Sequence, residues 1–167
     1  TMLEELLNQM LNEKTEICTM INYSPVKQYK YKSCKSIISN KEAIRMLLLL
    51  EYPSSLCVSL YKRKLFNDER LSKDIHFFED FEMNLRLLKN ATLISLNEKC
   101  LYNYRVNESS INRSSISSKR LSSLVIYQKN LAIVSEYNFK NEAQYFRSHV
   151  LIAIILSVAK SKKVNPK

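Results

Sequence analysis

The chain has 167 residues, a formal net charge of +10, an apolar fraction of 46% and a charged fraction of 25%, which are values of a folded globular protein rather than a disordered one. It contains no glycine, which excludes the glycine-rich phosphate loops of P-loop and Rossmann nucleotide sites. The positive charge has two interpretations: a lysine-rich solvated surface, or attraction to an anion such as a nucleotide diphosphate, a lipid-linked phosphate, an acidic membrane or nucleic acid.

The first part of the chain predicts one amphipathic helix, two strands and a second helix. Thr1-Met2-Leu3-Glu4 is a capping-box pattern, and apolar residues then recur at helical spacing. Strands are predicted over 16–23 and 27–34. A helix over 40–51, capped by its first residue, must stop before Pro53, because the residue before a proline avoids the helical region. Since a chain seldom begins on a capped helix, we expect the true amino terminus to lie upstream.

The middle of the chain alternates short apolar and polar segments. Residues 56–65 predict a short buried segment followed by a helical turn, and residues 68–76 predict a polar loop. A helix is expected over about 78–89, with three carboxylates at its start. Two strands, over 92–96 and 99–106, should follow it.

The last part predicts a serine-rich loop over 108–118 and two helices. The first helix should run over about 118–137, and the second should begin at an Asn141 cap and end among lysines. Because Val150–Leu156 is apolar on almost every side, we expect this stretch to be sandwiched between other elements. His149, beside it, should be a core histidine.

The four cysteines lack the CxxC spacing of zinc sites, so we expect reduced, buried thiols. The two histidines are too few for a histidine-based metal site.

Three segments occur here in the order found in one enzyme family. They are Ser59–Phe66, then Phe77–Leu88 with its Glu-Asp pair, then Leu101-Tyr102-Asn103-Tyr104-Arg105 followed by Ser109-Ser110-Ile111. Together they cover roughly residues 56–112 and resemble the carboxyl-terminal, acceptor-side half of a family 2 glycosyltransferase of the GT-A fold. The resemblance implies a single α+β domain over 1–167, helix-dominated with a few mixed strands, whose donor-binding half is absent.

The resemblance also implies roles for five residues. Asp80 would be the general base that takes the proton from the attacking acceptor hydroxyl, and Glu79 would turn away or orient the sugar. Neighbouring helical residues lie about 100° apart, so these two carboxylates cannot both point into one cleft. Arg105 would hold the leaving diphosphate with its planar, always-charged fork. Ser109 and Ser110 would belong to a loop that covers the cleft.

Each of these residues also has a purely structural interpretation. Glu79 and Asp80, with Glu82, would complement the positive end of the helix dipole as ordinary first-turn acids. Arg105 would be a surface cation paired with a neighbouring glutamate. The serine segment would be an ordinary polar loop.

A transferase of this kind uses Mg²⁺ or Mn²⁺, held on the donor diphosphate by an Asp-x-Asp motif. The chain has three aspartates, Asp68, Asp74 and Asp80, and none forms that motif. We therefore expect the metal in the complete enzyme only, and no activity or cofactor binding in this chain alone. His76 is a candidate extra metal ligand.

The expected function is sugar transfer, with inversion, from a nucleotide sugar to a saccharide or lipid-linked acceptor in polysaccharide biosynthesis. The location would be cytoplasmic, with peripheral contact to the anionic inner face of the membrane that fades between about 50 and 300 mM salt. A fragment should also expose an apolar patch near the first helix and the strand around Cys18, and self-associate through it.

Two alternatives stay open. One is a non-catalytic basic module that binds an acidic membrane surface or nucleic acid, although no helix-turn-helix pattern favours the latter. The other is a degenerate transferase-like domain that only binds partners.

Overall fold

The structure is a computed structural model that describes residues 1–22, 35–67, 69–103 and 121–164. In these ranges helices dominate and four short strands form one mixed sheet, which confirms the α+β class expected from the sequence. The helices are α1 Met2–Asn12, α2 Asn40–Leu48, α3 Glu79–Asn90, α4 Leu124–Lys129, α5 Leu131–Tyr137 and α6 Lys140–Val164. The strands are β1 Ile17–Met20, β2 Ile37–Ser39, β3 Ser59–Tyr61 and β4 Leu93–Asn97.

The sheet has the order β2-β4-β1-β3. Its two central strands, β1 and β4, are parallel and pair Ile17 with Ile94 and Thr19 with Leu96. The outer strands β3 and β2 run antiparallel to their neighbours. Parallel neighbours need a long crossover connection, and here it contains β2, α2, β3 and α3.

Helices cover both faces of the sheet. On one face α1 packs through Leu6 and Met10 against Cys18 and Met20 of β1. On the other face α2 and α3 join a larger apolar cluster that includes Ile17. As a result all four residues of β1 are buried, and this strand is the centre of the core.

The capping box predicted at Thr1 is present: the Thr1 hydroxyl accepts from the Glu4 amide, and the Glu4 carboxylate accepts from the amino group of Thr1. Leu3, Leu7 and Leu11 lie four residues apart on α1 and are exposed. Self-association through a large apolar patch stays a prediction, and on α1 these three leucines form an exposed apolar stripe. The strand around Cys18 does not contribute to it, because β1 is fully buried.

A cluster of phenylalanines sets the start of α3. Phe78, the residue before the helix, has a left-handed backbone with φ 63°, a conformation that costs a bulky residue free energy. Its ring makes edge-to-face contacts with Phe77, Phe81 and Phe146. Phe81 in turn stacks on Phe146 of α6, with ring centroids 3.9 Å apart. These contacts hold the strained turn and fix where Glu79 and Asp80 lie.

Several boundaries differ from the sequence predictions. Ser39, not Asn40, caps α2, which ends at Leu48. Residues 56–65 form two short 3-10 turns, Leu56–Val58 and Arg63–Leu65, on either side of β3. Strand β2 was not predicted. The described residues 99–103 are not in a strand, while the rest of that predicted strand, with the strand at 27–34 and the loop at 108–118, lies outside the described residues.

The prediction of one continuous helix over 118–137 is wrong in the described part of that range, where Asn130 separates α4 from α5. The buried Asn130 amide group donates to the carbonyl of Ile126 at 2.9 Å, and such local side-chain bonds compete with a continuous helix. The cap predicted at Asn141 is also wrong. Helix α6 begins at Lys140, after Asn138 takes a left-handed turn with φ 58°.

The expectation that Val150–Leu156 is enclosed is wrong. Val150 is buried, but Leu151, Ile152, Ile155 and Leu156 are exposed. When a helical segment is apolar on every side, its sequence does not indicate which side packs against the core. His149, expected in the core, is exposed as well. No helix within the described ranges is long and apolar enough to span a bilayer.

The cysteines also differ from one another. Cys18 is buried, and burial, with the nearby Glu13 and Glu5 carboxylates, raises the pKa of its thiol to about 12. Cys57 and Cys100 are exposed, so the expectation of uniformly buried thiols is wrong for them.

Candidate functional site

Asp80 lies in the first turn of α3, and its side chain is partly exposed. One carboxylate oxygen, Oδ2, accepts from the backbone N–H of Leu56 and from the hydroxyl of Ser55, each at 3.4 Å. No partner of the other oxygen, Oδ1, is found among the described residues. The carboxylate is thus held from one side by residues that precede β3.

The three acids at the start of α3 have different surroundings. Glu79 is partly exposed, and its side chain makes no hydrogen bond or ion pair within the described part of the chain. Glu82 is buried: its carboxylate accepts from the hydroxyl of Ser72 at 3.2 Å and pairs with Arg86 at 2.9 Å. Arg86 also pairs with Glu69. Glu82 therefore has a structural role. Glu79 and Asp80 are adjacent residues of the helix, so their side chains point in different directions.

Asn84, one helical turn after Asp80, is a residue that the sequence reasoning missed. Its side chain is fully buried. Its amide group donates to the carbonyl of Ser54 at 2.7 Å, and its oxygen accepts from the hydroxyl of Tyr61 at 2.7 Å. Asn84 thereby fixes the segment that donates to Asp80. The available signal was a polar residue on the buried face of an otherwise apolar helix.

Tyr61 is the other partner in this arrangement. Burial raises the pKa of its phenol far above the usual range, and the neighbouring Asp80 carboxylate adds to the rise. The phenol therefore remains neutral at ordinary pH and keeps donating to Asn84.

Replacing Asn84 with alanine should lower the free energy of unfolding by about 1–3 kcal/mol, because the Tyr61 hydroxyl and the Ser54 carbonyl would each lose a buried partner. Urea denaturation measures this loss. Asn90→Ala is the matched control on the same helix, since exposed Asn90 makes one side-chain bond, to the Leu65 carbonyl. In the Tyr61→Phe background the cost of Asn84→Ala should shrink. An Asn84→Ala cost no larger than that of the control would contradict the assignment.

An open cleft of about 960 Å³ adjoins this site. Its basic lining residues are Arg63, Lys64 and Arg70, and its apolar lining includes Phe66 and Leu71. Leu56, whose N–H donates to Asp80, and Met83 also line it. The cleft is therefore continuous with the segment that holds the carboxylate.

The charges of the cleft are unequally compensated. Lys64 pairs with Glu16 at 2.5 Å across the start of β1. Arg70 donates to the carbonyl of Glu69 at 2.8 Å. The Arg63 side chain is exposed and has no hydrogen bond or ion pair in the described ranges. This charge surplus suits an anionic or hydroxyl-rich ligand with an apolar part.

The remaining predicted site residues are not brought to this cleft by any described contact. Arg105, Ser109 and Ser110 lie outside the described residues. His76 is exposed, and its backbone N–H donates to the Ser122 hydroxyl at 2.9 Å. Among the residues that are described, no three His, Cys, Asp or Glu side chains lie close enough to hold a metal ion.

A comparison with models of known protein families gives no match to this chain, and a comparison with curated protein sequences gives none either.

Proposed function

We propose that this chain is the acceptor-side part of an inverting glycosyltransferase with a GT-A fold, acting on a nucleotide sugar and a saccharide or lipid-linked acceptor at the cytoplasmic face of a membrane. One observation supports the proposal above the others. Asp80 stands at the beginning of a helix with one oxygen held by the Ser55–Leu56 segment, and that segment borders an open basic cleft.

In this proposal Asp80 acts on the acceptor hydroxyl. The Leu56 N–H and the Ser55 hydroxyl bind Oδ2 and leave Oδ1 to take the proton. A positioned carboxylate of this kind contributes about 10²–10⁴ to the rate. Glu79, which points elsewhere, would orient the acceptor sugar.

The cleft would receive the acceptor. Phe66 and Leu71 offer apolar surface to the faces of sugar rings or to the start of a lipid, and exposed Arg63 offers a cation to a phosphate. Arg105, Ser109 and Ser110 keep their proposed roles at the leaving diphosphate and over the cleft.

The metal of such an enzyme would shield the donor diphosphate. The described residues of this chain offer no set of three ligands for it, and the sequence has no Asp-x-Asp. We therefore assign no residue of this chain to Mg²⁺ or Mn²⁺, and His76 is not retained as a ligand because it belongs to no such set of three among the described residues.

This chain alone should neither bind a nucleotide sugar tightly nor transfer sugar, because its sequence lacks the Asp-x-Asp that would hold the metal on the diphosphate and its described residues offer no set of three metal ligands. Calorimetric titration with uridine and guanosine diphosphate sugars, with and without Mn²⁺, tests the expectation. Micromolar binding that requires the metal would show that the donor site lies within this chain and would overturn the division of roles proposed here. Transfer by the complete protein, measured as nucleotide release that depends on an acceptor, is the complementary positive test.

A further inference from the structure

The carboxyl-terminal half of α6 presents two different sides. One side, with Val150 buried and Ile154 half-buried against the main core, continues the contact that Phe146 makes with Phe81. The opposite side carries an exposed apolar surface formed by Leu151, Ile152, Ile155 and Leu156, which we call the α6 face.

The exposure of the α6 face is large for aliphatic side chains. Ile152, Ile155 and Leu156 are 56%, 63% and 56% exposed. One and two turns earlier the exposed side of the same helix is more polar, with Gln144, Arg147 and Ser148 beside Tyr145. The change from polar to apolar therefore occurs within one continuous helix, on the side that faces away from the protein. Contiguous apolar surface of this kind marks an interaction site.

The charge of the surrounding sequence indicates what covers this face. Residues 143–167 contain four lysines, one arginine and no aspartate or glutamate. A second copy of the chain would bring the same basic stretch without a carboxylate opposite it. An anionic lipid surface supplies both the negative charge and the apolar layer, because each nearby lysine gains about 1 kcal/mol from such a surface and aliphatic side chains enter the boundary of the acyl chains.

We propose that α6 lies along the surface of an anionic bilayer, with the α6 face inserted at the boundary between head groups and acyl chains and the lysines that follow it meeting the lipid charge. The helix would lie on the membrane rather than cross it, in agreement with the absence of a membrane-spanning helix in the described ranges. This inference does not depend on the transferase activity. It also changes the salt dependence expected from charge alone, since apolar insertion is not screened.

Vesicle flotation of the full chain tests the proposal. The chain should bind vesicles of phosphatidylcholine with about 30 mol% phosphatidylglycerol, and should bind vesicles of phosphatidylcholine alone much more weakly. Part of the binding should survive a rise from about 50 to about 500 mM NaCl. A triple variant, Ile152→Ser, Ile155→Ser and Leu156→Ser, should lose binding by at least about tenfold. Because these side chains are exposed, the variant should fold normally, which circular dichroism verifies.

The matched control is Leu3→Ser with Leu7→Ser and Leu11→Ser, which removes an exposed apolar stripe of the same size from α1. It should bind vesicles as the parent chain does. Equal loss in both triple variants, or undiminished binding in the α6 variant, would overturn the proposal. So would a dimer in sedimentation that the α6 variant converts to a monomer without any vesicle binding, since a second copy would then cover the face.

A spectroscopic measurement locates the inserted side. The chain contains no tryptophan, so Ile155→Trp introduces a single reporter at the most exposed position of the α6 face. Its emission should shift to shorter wavelength with anionic vesicles, and Leu7→Trp should show no shift. The reverse result would place α1, not α6, at the membrane and overturn the proposal.

Discussion

Replacing Asp80 with asparagine should lower the turnover of the proposed transferase by about 10²–10⁴, the usual contribution of a general base. The amide keeps the volume of the side chain but cannot take a proton. Its oxygen can still accept from the Leu56 N–H and the Ser55 hydroxyl, the two contacts seen for Oδ2. Folding should therefore change little, by about 0.3–1 kcal/mol for the loss of one first-turn charge. Acceptor-dependent nucleotide release and urea denaturation measure the two effects separately.

Glu79→Gln is the control for this experiment. It removes the adjacent carboxylate, which has no hydrogen bond or ion pair in the described part of the chain, and it should reduce turnover less. Near-full activity in Asp80→Asn would show that another group is the base. A loss of activity that merely follows unfolding would give Asp80 a structural role and remove the main support for the proposed function.

Phe81→Ala should be the most damaging single change to stability, with a loss of about 3–5 kcal/mol of unfolding free energy. Phe81 is fully buried, stacks on Phe146 at 3.9 Å with the ring planes 6° apart, and makes an edge contact with Phe78. Its removal opens a cavity between α3 and α6 and releases the strained turn before Glu79. Urea denaturation followed by circular dichroism gives the magnitude.

Two further variants test whether the stack itself matters. Phe77→Ala, which removes a half-buried ring from the same cluster, should cost much less. Phe81→Ala combined with Phe146→Ala should cost less than the sum of the two single changes, because they share one contact. Strict additivity, or a Phe81→Ala cost near that of Phe77→Ala, would show that the stack does not join the two helices.

The sequence alone was sufficient to predict the helices and strands that are marked by local residue patterns. Helix α1 has a capping box and a helical apolar period, α3 has first-turn acids, and β1 and β4 are short apolar runs that end near Asn or polar residues. Their positions were predicted to within a few residues. The carboxylate at Asp80 was also located correctly on its helix, since first-turn position follows from local pattern.

The other features of the fold and of the candidate site depend on tertiary contacts, which cannot be predicted from local sequence patterns. Nothing near Asp80 in sequence indicates that Ser55 and Leu56, about two dozen residues earlier, hold it. The position of Asn84 on the buried face of α3 indicated a buried polar residue, but its partners Ser54 and Tyr61 could be identified only from the structure. Helix α6 has apolar residues on all sides after Val150, so periodicity could not assign an outer face. The separation of α4 from α5 at Asn130 reflects a local side-chain hydrogen bond that competes with the helical propensity of this segment.

The parallel pairing of Ile17 with Ile94 has a consequence for the order in which this protein forms during synthesis. Strand β1 is the centre of the core, yet its parallel neighbour emerges from the ribosome more than seventy residues later. At synthesis rates of about 5–20 residues per second, the buried side chains of β1 wait on the order of several seconds for that partner. During this interval β1 can be covered by α1 on one face, by α2 on the other and, after Tyr61 has emerged, by β3 at one edge, but the edge that pairs with β4 stays open. Chaperone binding to the nascent chain is therefore expected to be strongest before β4 appears.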